Sequence, residues 1–187
     1  NFHILEQEKA ALPDIQAQKE IVLIPRMGQG AEALAAALCG IGIPAEALPM
    51  PDRETVRIGR RFTSGKECIP MCITLGSLIQ RIERGSADER FAFFMPTACG
   101  PCRFGVYNLL HKITLERLGL KDRVRVWSPS DENYFAGVPA GLSIMLVVAF
   151  ATSDILLNAL YDVRPVEKEA GAAMKIYEHY RLQIIEK

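Results

Sequence analysis

The chain has 187 residues, of which 49% are hydrophobic and 24% are charged, and its formal net charge is zero. This composition is typical of a globular protein, and the length is sufficient for one domain with a buried core. The zero net charge argues against nucleic acid as the main partner. Residues 1–20 do not resemble a secretion signal, and the apolar run 138–151 is shorter than a bilayer span. We therefore expect a cytoplasmic protein without a membrane partner, in which this run forms a buried helix.

Apolar runs and turn residues alternate along the chain and predict alternating strands and helices. Strands are predicted at residues 20–25, 43–48, 91–95 and 124–127. Helices are predicted at residues 31–39, 70–84, 104–118, 140–160 and 165–185. Alternation with short links indicates an α/β fold, a Rossmann-like parallel sheet of about four strands flanked by helices, with further helices at the C-terminus.

The same pattern divides the chain into three parts. Residues 1–20 are a polar lead-in, residues 21–136 form the α/β domain with the cysteine motifs, and residues 137–187 form a helical C-terminal segment. We expect the chain to be a fragment of a larger protein, since its last helical pattern looks unfinished. The turn Gly28-Gln29-Gly30 follows a predicted strand, but it lacks the third glycine of a dinucleotide fingerprint and predicts only a tight turn.

Four of the five cysteines fall into two compact groups at predicted helix starts. Cys68 and Cys72 lie around the start of the helix at Pro70, and Cys99 and Cys102 follow the strand at 91–95. Free N–H groups at a helix start stabilise a thiolate. In a reducing compartment, close cysteine pairs are more often metal ligands or redox groups than structural disulfides.

Thiolates select zinc, copper(I) or iron–sulfur clusters, and zinc knuckles usually occur in small domains that need the metal to fold. A cluster held at strand ends fits a chain with its own core better, so Cys68, Cys72, Cys99 and Cys102 are the candidate ligands. Cys39 lies in an Ala/Leu-rich helix and is predicted to be a buried hydrophobic side chain.

The sequence Cys99-Gly100-Pro101-Cys102 also occurs in thioredoxin-like oxidoreductases. In those enzymes the motif follows fewer residues, and an aromatic residue rather than Ala98 precedes the first cysteine. A thiol–disulfide oxidoreductase using Cys99 and Cys102 is therefore the alternative. A third hypothesis is that the chain is a non-catalytic scaffold segment of a larger complex.

Two longer stretches carry a resemblance to a known family. Residues 59–70 read Gly-Arg-Arg-Phe-Thr-Ser-Gly-Lys-Glu-Cys-Ile-Pro, and residues 96–107 read Pro-Thr-Ala-Cys-Gly-Pro-Cys-Arg-Phe-Gly-Val-Tyr. Together with residues 74–76, 128–133 and 164–167, they resemble the large proteins related to 2-hydroxyacyl-CoA dehydratase activators. Those proteins are similar to 2-hydroxyglutaryl-CoA dehydratase and benzoyl-CoA reductase subunits. The resemblance covers about residues 21–170.

The resemblance implies a [4Fe–4S] cluster bound by cysteines from separate strand ends. Cys68 matches the first ligand, and Cys102 or Cys99 matches the second. No cysteine follows Cys102, so the third ligand lies beyond Lys187, or Cys72 and the other member of the pair complete the site.

The implied function is an iron–sulfur electron-transfer or dehydratase-like domain of anaerobic metabolism. If it is an enzyme, it belongs to an ATP-dependent (R)-2-hydroxyacyl-CoA dehydratase or reductase system, of the lyase kind. Its partners would be an ATP-dependent activator and an acyl-CoA, and a homodimer is a further candidate assembly.

Basic residues accompany both cysteine motifs. They either balance an anionic cluster and bind the phosphates of a CoA ester, or form a solvated basic surface. These residues are Arg60, Arg61, Lys66 and Arg103, with Arg57 nearby. The segment with Asp131, Glu132 and Tyr134 follows a strand and either lines the same cleft or forms a surface loop.

Overall fold

The computed structural model describes residues 11–97, 100–129 and 140–185. The strands are β1 (Ile21–Ile24), β2 (Ala45–Ala47), β3 (Phe91–Phe94) and β4 (Val124–Trp127). The helices are α1 (Leu12–Ala17), α2 (Gly30–Gly40), α3 (Arg53–Arg60), α4 (Ile69–Arg84), α5 (Tyr107–Arg117), α6 (Ala140–Val163) and α7 (Ala172–Ile185). Short 3₁₀ helices at Arg103–Val106 and Arg164–Val166 precede α5 and follow α6.

The four strands form one parallel sheet in the order β2-β1-β3-β4, which confirms the predicted Rossmann-like α/β fold. Val22 pairs with Ala45 of β2 on one side and with Ala92 of β3 on the other. The chain first moves outward from β1 to β2 and then crosses back to β3. The carboxyl ends of β1 and β3 therefore flank a topological switch point, where α/β sheets bind ligands.

Each face of the sheet is covered by its own apolar cluster. On one face, Phe93 packs with Leu75 of α4 and Leu115 of α5. On the other face, Val22 packs with Leu38 of α2 and Leu142 of α6. This arrangement follows from the alternation of side chains along a strand, which sends successive residues to opposite faces. The strand residues are consequently apolar, except for Glu46 and Arg125 on the two edge strands β2 and β4.

Two helices were not predicted from the sequence pattern. In α1, Leu12 and Ile15 are buried, so the second half of the polar lead-in contributes to the core of the sheet domain. In α3, the Asp52 carboxylate accepts a hydrogen bond from the Thr55 amide at 2.8 Å, and the Thr55 hydroxyl accepts one from the Asp52 amide at 3.2 Å. This reciprocal cap satisfies two free N–H groups and fixes the start of a short helix.

The helix at residues 138–151 was predicted to be buried, and this is wrong for most of its side chains. The helix α6 extends to Val163, and Ile144 and Ile155 are 66% and 69% exposed. Only one side of α6, including Leu142, packs on the domain. By length and composition alone, Gly141–Val166 would also suffice to span a membrane, with a mean hydropathy of 1.9 over an 18-residue window. An apolar run in the sequence therefore predicts neither where the helix ends nor which of its sides other elements cover.

Candidate functional site

Cys68 lies at the start of α4, at the carboxyl edge of the sheet. It is the N-cap residue, with extended backbone angles, and its carbonyl accepts the Cys72 amide at 3.3 Å. The side chain is half-buried against the core cluster of α4 and α5. Pro70 lies in the first turn, where its missing N–H costs nothing. The thiol is thus close to the free amides of a sixteen-residue helix.

Cys102 lies at the same edge, in the loop that follows β3. It is exposed and immediately precedes the 3₁₀ helix Arg103–Val106. The Thr97 hydroxyl donates to the Gly105 carbonyl at 2.7 Å, and the Thr97 amide donates to the Pro129 carbonyl at 2.9 Å. These bonds tie the Cys102 loop to the end of β3 and to the loop after β4. Cys99 lies outside the described residues.

The two cysteine motifs contact each other. The Arg103 guanidinium donates to the Lys66 carbonyl at 2.9 Å, which joins the Cys102 loop to the Cys68 loop. Tyr107, in the first turn of α5, lies beside both cysteines. Its pKa is raised to about 12 by burial, by hydrogen bonding to Cys68 and by the charges of Cys68 and Cys102, while Arg103 opposes the shift. The phenol is consequently a neutral hydrogen-bond donor at physiological pH.

Cys72 has a different environment one turn further along α4. It is buried, and its thiol donates to the Val56 carbonyl of α3 at 3.7 Å. A Cβ on Gly59 of α3 would lie 3.0 Å from the Cys72 sulfur. Cys72 is therefore part of the packing between α3 and α4.

Cys39 was predicted to be a buried hydrophobic side chain, and this is wrong. It is exposed near the end of α2, and its thiol lies 3.4 Å from the Ala45 carbonyl, to which it donates. The apolar pattern of α2 alone does not show that the sheet covers the side of this helix opposite to Cys39.

The basic residues surround the Cys68 loop without converging on one point. Arg60 lines a cavity of about 310 Å³ that also contains Glu67 and Cys72. Arg61 lines a separate cavity of about 320 Å³ with Arg117. Lys66 and Arg103 are exposed, and the Arg103 guanidinium is engaged by the Lys66 carbonyl. The structure therefore does not bring the four basic residues into a single phosphate site.

Two further residues belong to the site, although the sequence patterns do not predict a role for them. Tyr107 lies in the motif after Cys102, and the aromatic ring of Phe104 packs edge-on against it at 5.3 Å between centroids. Glu67 accepts hydrogen bonds from the Ser64 amide at 3.1 Å and hydroxyl at 3.0 Å, and these bonds hold its pKa below the usual range. The sequence feature that could have identified Tyr107 and Glu67 is their position within or beside a cysteine motif.

Asp131, Glu132 and Tyr134 lie outside the described residues, as does the rest of 130–139. Across residues 11–97, 100–129 and 140–185, no group of three or more His, Cys, Asp and Glu side chains is arranged to hold a metal ion. The described site therefore contains two thiols from separate loops, next to a neutral tyrosine and an arginine.

The fold and the site define a class, namely a doubly wound α/β domain with a pair of thiols at its ligand-binding edge. No family model, curated protein or solved structure matches the chain.

Proposed function

We propose that this chain is an iron–sulfur domain for electron transfer in an acyl-CoA dehydratase or reductase system of the activator-related kind. The observation that supports the proposal is the junction of the two cysteine loops. The bond between Arg103 and the Lys66 carbonyl joins the Cys68 loop to the Cys102 loop at the carboxyl edge of the sheet. Two thiols supplied by separate loops at one edge are a suitable start for a cluster cradle.

The donor set fits a cluster in its chemistry. Cys68 and Cys102 would hold it as thiolates, and Cys99, three residues before Cys102 in the sequence, is a further candidate ligand. A bound cluster would supply a one-electron carrier. Cys72 is a weaker candidate, because its thiol is engaged by the Val56 carbonyl between α3 and α4.

The protein groups around the two thiols would favour a reduced, anionic centre. The α4 N-terminus and the Arg103 guanidinium place positive charge beside the sulfurs. The Tyr107 hydroxyl, whose pKa is about 12, remains protonated beside Cys68. Hydrogen bonds to ligand sulfurs and restricted access of water are the means by which proteins set the potential of such centres.

The acyl-CoA substrate and the ATP-dependent activator follow from the resemblance of residues 59–70 and 96–107. The exposed residues Arg60, Arg61, Lys66 and Arg103 give this edge a positive charge that suits a phosphorylated ligand or an acidic partner surface.

Metal analysis of anaerobically purified protein tests the proposal. We expect a brown protein with stoichiometric iron and sulfide, and loss of most of the iron in Cys68→Ser and in Cys102→Ser. Cys39→Ser is the matched control, because this exposed thiol lies on α2 and should leave the iron content unchanged. Unchanged iron in both Cys68→Ser and Cys102→Ser would overturn the assignment.

Other results would favour the alternatives. A colourless protein in which Cys99 and Cys102 cycle between dithiol and disulfide would support a thiol–disulfide oxidoreductase. A chain that binds neither iron nor zinc and has unreactive thiols would support a scaffold segment.

A further inference from the structure

The helices α2, α6 and α7 line a cavity of about 350 Å³, on the side of the sheet that α2 covers. Its α2 wall is formed by residues three or four positions apart, so the cavity follows this helix along one side. These residues are Gln29, Glu32, Ala33, Ala36, Ala37 and Gly40. From Ala33 to Gly40 this wall carries nothing larger than a methyl group, which leaves space between α2 and the other two helices.

The cavity is long and narrow. The rise along α2 from Gln29 to Gly40 is about 16 Å, so its volume of about 350 Å³ corresponds to a width of about 5 Å. An α-helix with its side chains, about 10–12 Å across, is too wide to enter. A single hydrocarbon chain in van der Waals contact with both walls fits this width. Since an apolar cavity of about 150 Å³ holds benzene, the volume suits about ten carbon atoms.

The two ends of the cavity differ in polarity. Helix α6 runs antiparallel to α2, since the Phe150 ring approaches Gly30 and the end of the Met145 side chain approaches Gly40. The lining near the start of α2 therefore contains the uncharged polar side chains of Gln29, Thr152, Ser153 and Tyr177. Burial raises the pKa of Tyr177, so its phenol stays protonated. The lining near Gly40 is apolar and contains Ile144, Met145 and Ile184.

The charged groups at the polar end balance each other. Glu32 pairs with Arg26 at 2.6 Å and also with Arg181, and Arg181 pairs with Glu178 at 2.6 Å. A carboxylate or ammonium on a ligand would have to displace one of these partners and leave a partly buried charge without compensation. The cavity therefore favours a ligand with an uncharged head group over an ionised one.

We infer that the cavity between α2, α6 and α7 binds one extended aliphatic chain of about ten carbon atoms that carries an uncharged polar head group. The head group lies at the Gln29 end, and the chain follows the alanines of α2 towards Gly40. Ile144, Val148 and Ile184 of the lining are 66%, 58% and 43% exposed, and the bound chain covers part of this apolar surface. Cys68, Cys72 and Cys102 do not line this cavity, so binding does not depend on the iron content.

Isothermal titration calorimetry of the full chain with straight-chain alcohols tests the inference. We expect one 1-octanol per chain, with a Kd below about 1 mM. From 1-hexanol to 1-octanol, each added CH₂ should tighten binding about fourfold. This gain should stop near ten carbon atoms, where the cavity ends. Octanoate should bind about 10-fold more weakly than 1-octanol or worse, because its carboxylate competes with Glu32 and Glu178 for Arg181.

Two variants fill the cavity from opposite walls. Ala36→Phe on α2 and Ala149→Phe on α6 should each weaken 1-octanol binding by about 10-fold or more, and either one suffices if the other fails to fold. Ala151→Phe is the matched control, because Ala151 is exposed on α6 and does not line the cavity. Circular dichroism establishes which variants remain folded.

Several results would overturn the inference. They are the lack of saturable 1-octanol binding, an affinity that keeps rising with chain length well beyond ten carbon atoms, and equal effects of Ala36→Phe and Ala151→Phe. Tighter binding of octanoate than of 1-octanol would contradict the uncharged head group. Flotation of the chain with phosphatidylcholine vesicles, if Ala36→Phe does not reduce it, would favour a membrane surface instead.

Discussion

His111 is a titratable residue inside the core rather than in the site. It is fully buried on α5, its ring packs 5.2 Å from the Phe93 ring, and its Nδ1 contacts the Tyr107 carbonyl. A carbonyl only accepts, so Nδ1 carries the proton, and Nε2, 3.2 Å from the Thr74 hydroxyl, is the acceptor. Burial lowers the pKa of His111 to about 4, and the Tyr107 carbonyl partly opposes this shift. The neutral imidazole is therefore the native form.

This burial makes folding stability depend on pH. The unfolded chain takes up a proton near pH 6.5, whereas the folded chain does so only near pH 4. Stability from this residue is thus complete above pH 6.5 and is lost as the pH falls from 6.5 to 4. We expect a loss of about 2 kcal/mol between pH 7.5 and pH 5, measured by urea unfolding.

The His111→Leu variant should lose most of this dependence, although its stability at neutral pH is lower. Thr74→Val retains the imidazole and should retain the slope, so it is the matched control. An equal slope in the wild type and in His111→Leu would assign the pH dependence to other groups.

At the scale of elements, the packing of α3 against α4 depends on two glycines. A Cβ on Gly59 would lie 1.9 Å from the Cys72 carbonyl oxygen, and a Cβ on Gly76 would lie 2.0 Å from the Thr55 carbonyl oxygen. Each helix thus presents a glycine where the backbone of the other passes. Cys68, which starts α4, packs against the same core cluster as Ile58 of α3.

We expect Gly59→Ala and Gly76→Ala each to lower the free energy of unfolding by about 2 kcal/mol or more, because backbone atoms cannot move aside like side chains. Gly141→Ala is the matched control, since a Cβ at this α6 position meets nothing within 4 Å. It should be neutral or stabilising, by up to about 1 kcal/mol. Chemical unfolding measures all three, and equal stabilities would refute the close packing of α3 on α4.

Local sequence signals predicted most elements well. The strand at residues 124–127 was predicted with the observed bounds, and the helix predicted at 70–84 begins one residue earlier, at Ile69. The helix α3 was missed because its short amphipathic pattern lies between prolines, and the cap of Asp52 on Thr55 was not recognised. The last helix begins at Ala172 rather than at Pro165, since a 3₁₀ turn and Gly171 intervene.

At the scale of the whole molecule, an ion-pair network fastens the C-terminal helix to the sheet domain. Glu32 of α2 pairs with Arg26, which follows β1, at 2.6 Å, and also with Arg181 of α7. Arg181 in turn pairs with Glu178 at 2.6 Å. Burial opposes ionisation of Glu32, but the two arginines hold the pKa of this carboxyl below its usual range. The network joins residues that are far apart in the chain.

We expect Glu32→Gln to loosen α7 without unfolding the sheet, because it leaves Arg26 and Arg181 without their shared partner. Hydrogen–deuterium exchange should become at least several-fold faster in Ala172–Ile185 and remain unchanged in β1 and β3. Glu54→Gln is the matched control, since Glu54 pairs within α3 with the exposed Arg57. Equal exchange of α7 in both variants would show that apolar contacts alone hold it.

Local sequence patterns are sufficient to predict the strand–helix alternation, and therefore the α/β class and the edge of the sheet at which both cysteine motifs lie. Strand and helix periodicities and helix starts depend on near neighbours in the chain, so one sequence suffices to predict them. Contacts between residues that are far apart in the chain are seen only in the tertiary structure. It showed the contact of the Cys68 and Cys102 loops through Arg103 and their common neighbour Tyr107.

The tertiary structure also decided which sides of the apolar segments are covered. Cys39, Ile144 and Ile155 are exposed, although their local sequences predict burial. A helix that is apolar all round does not reveal its inner side, because periodicity requires a polar side for contrast. Only the position of the sheet and of α2 shows that α6 presents Leu142 inward and Ile144 outward.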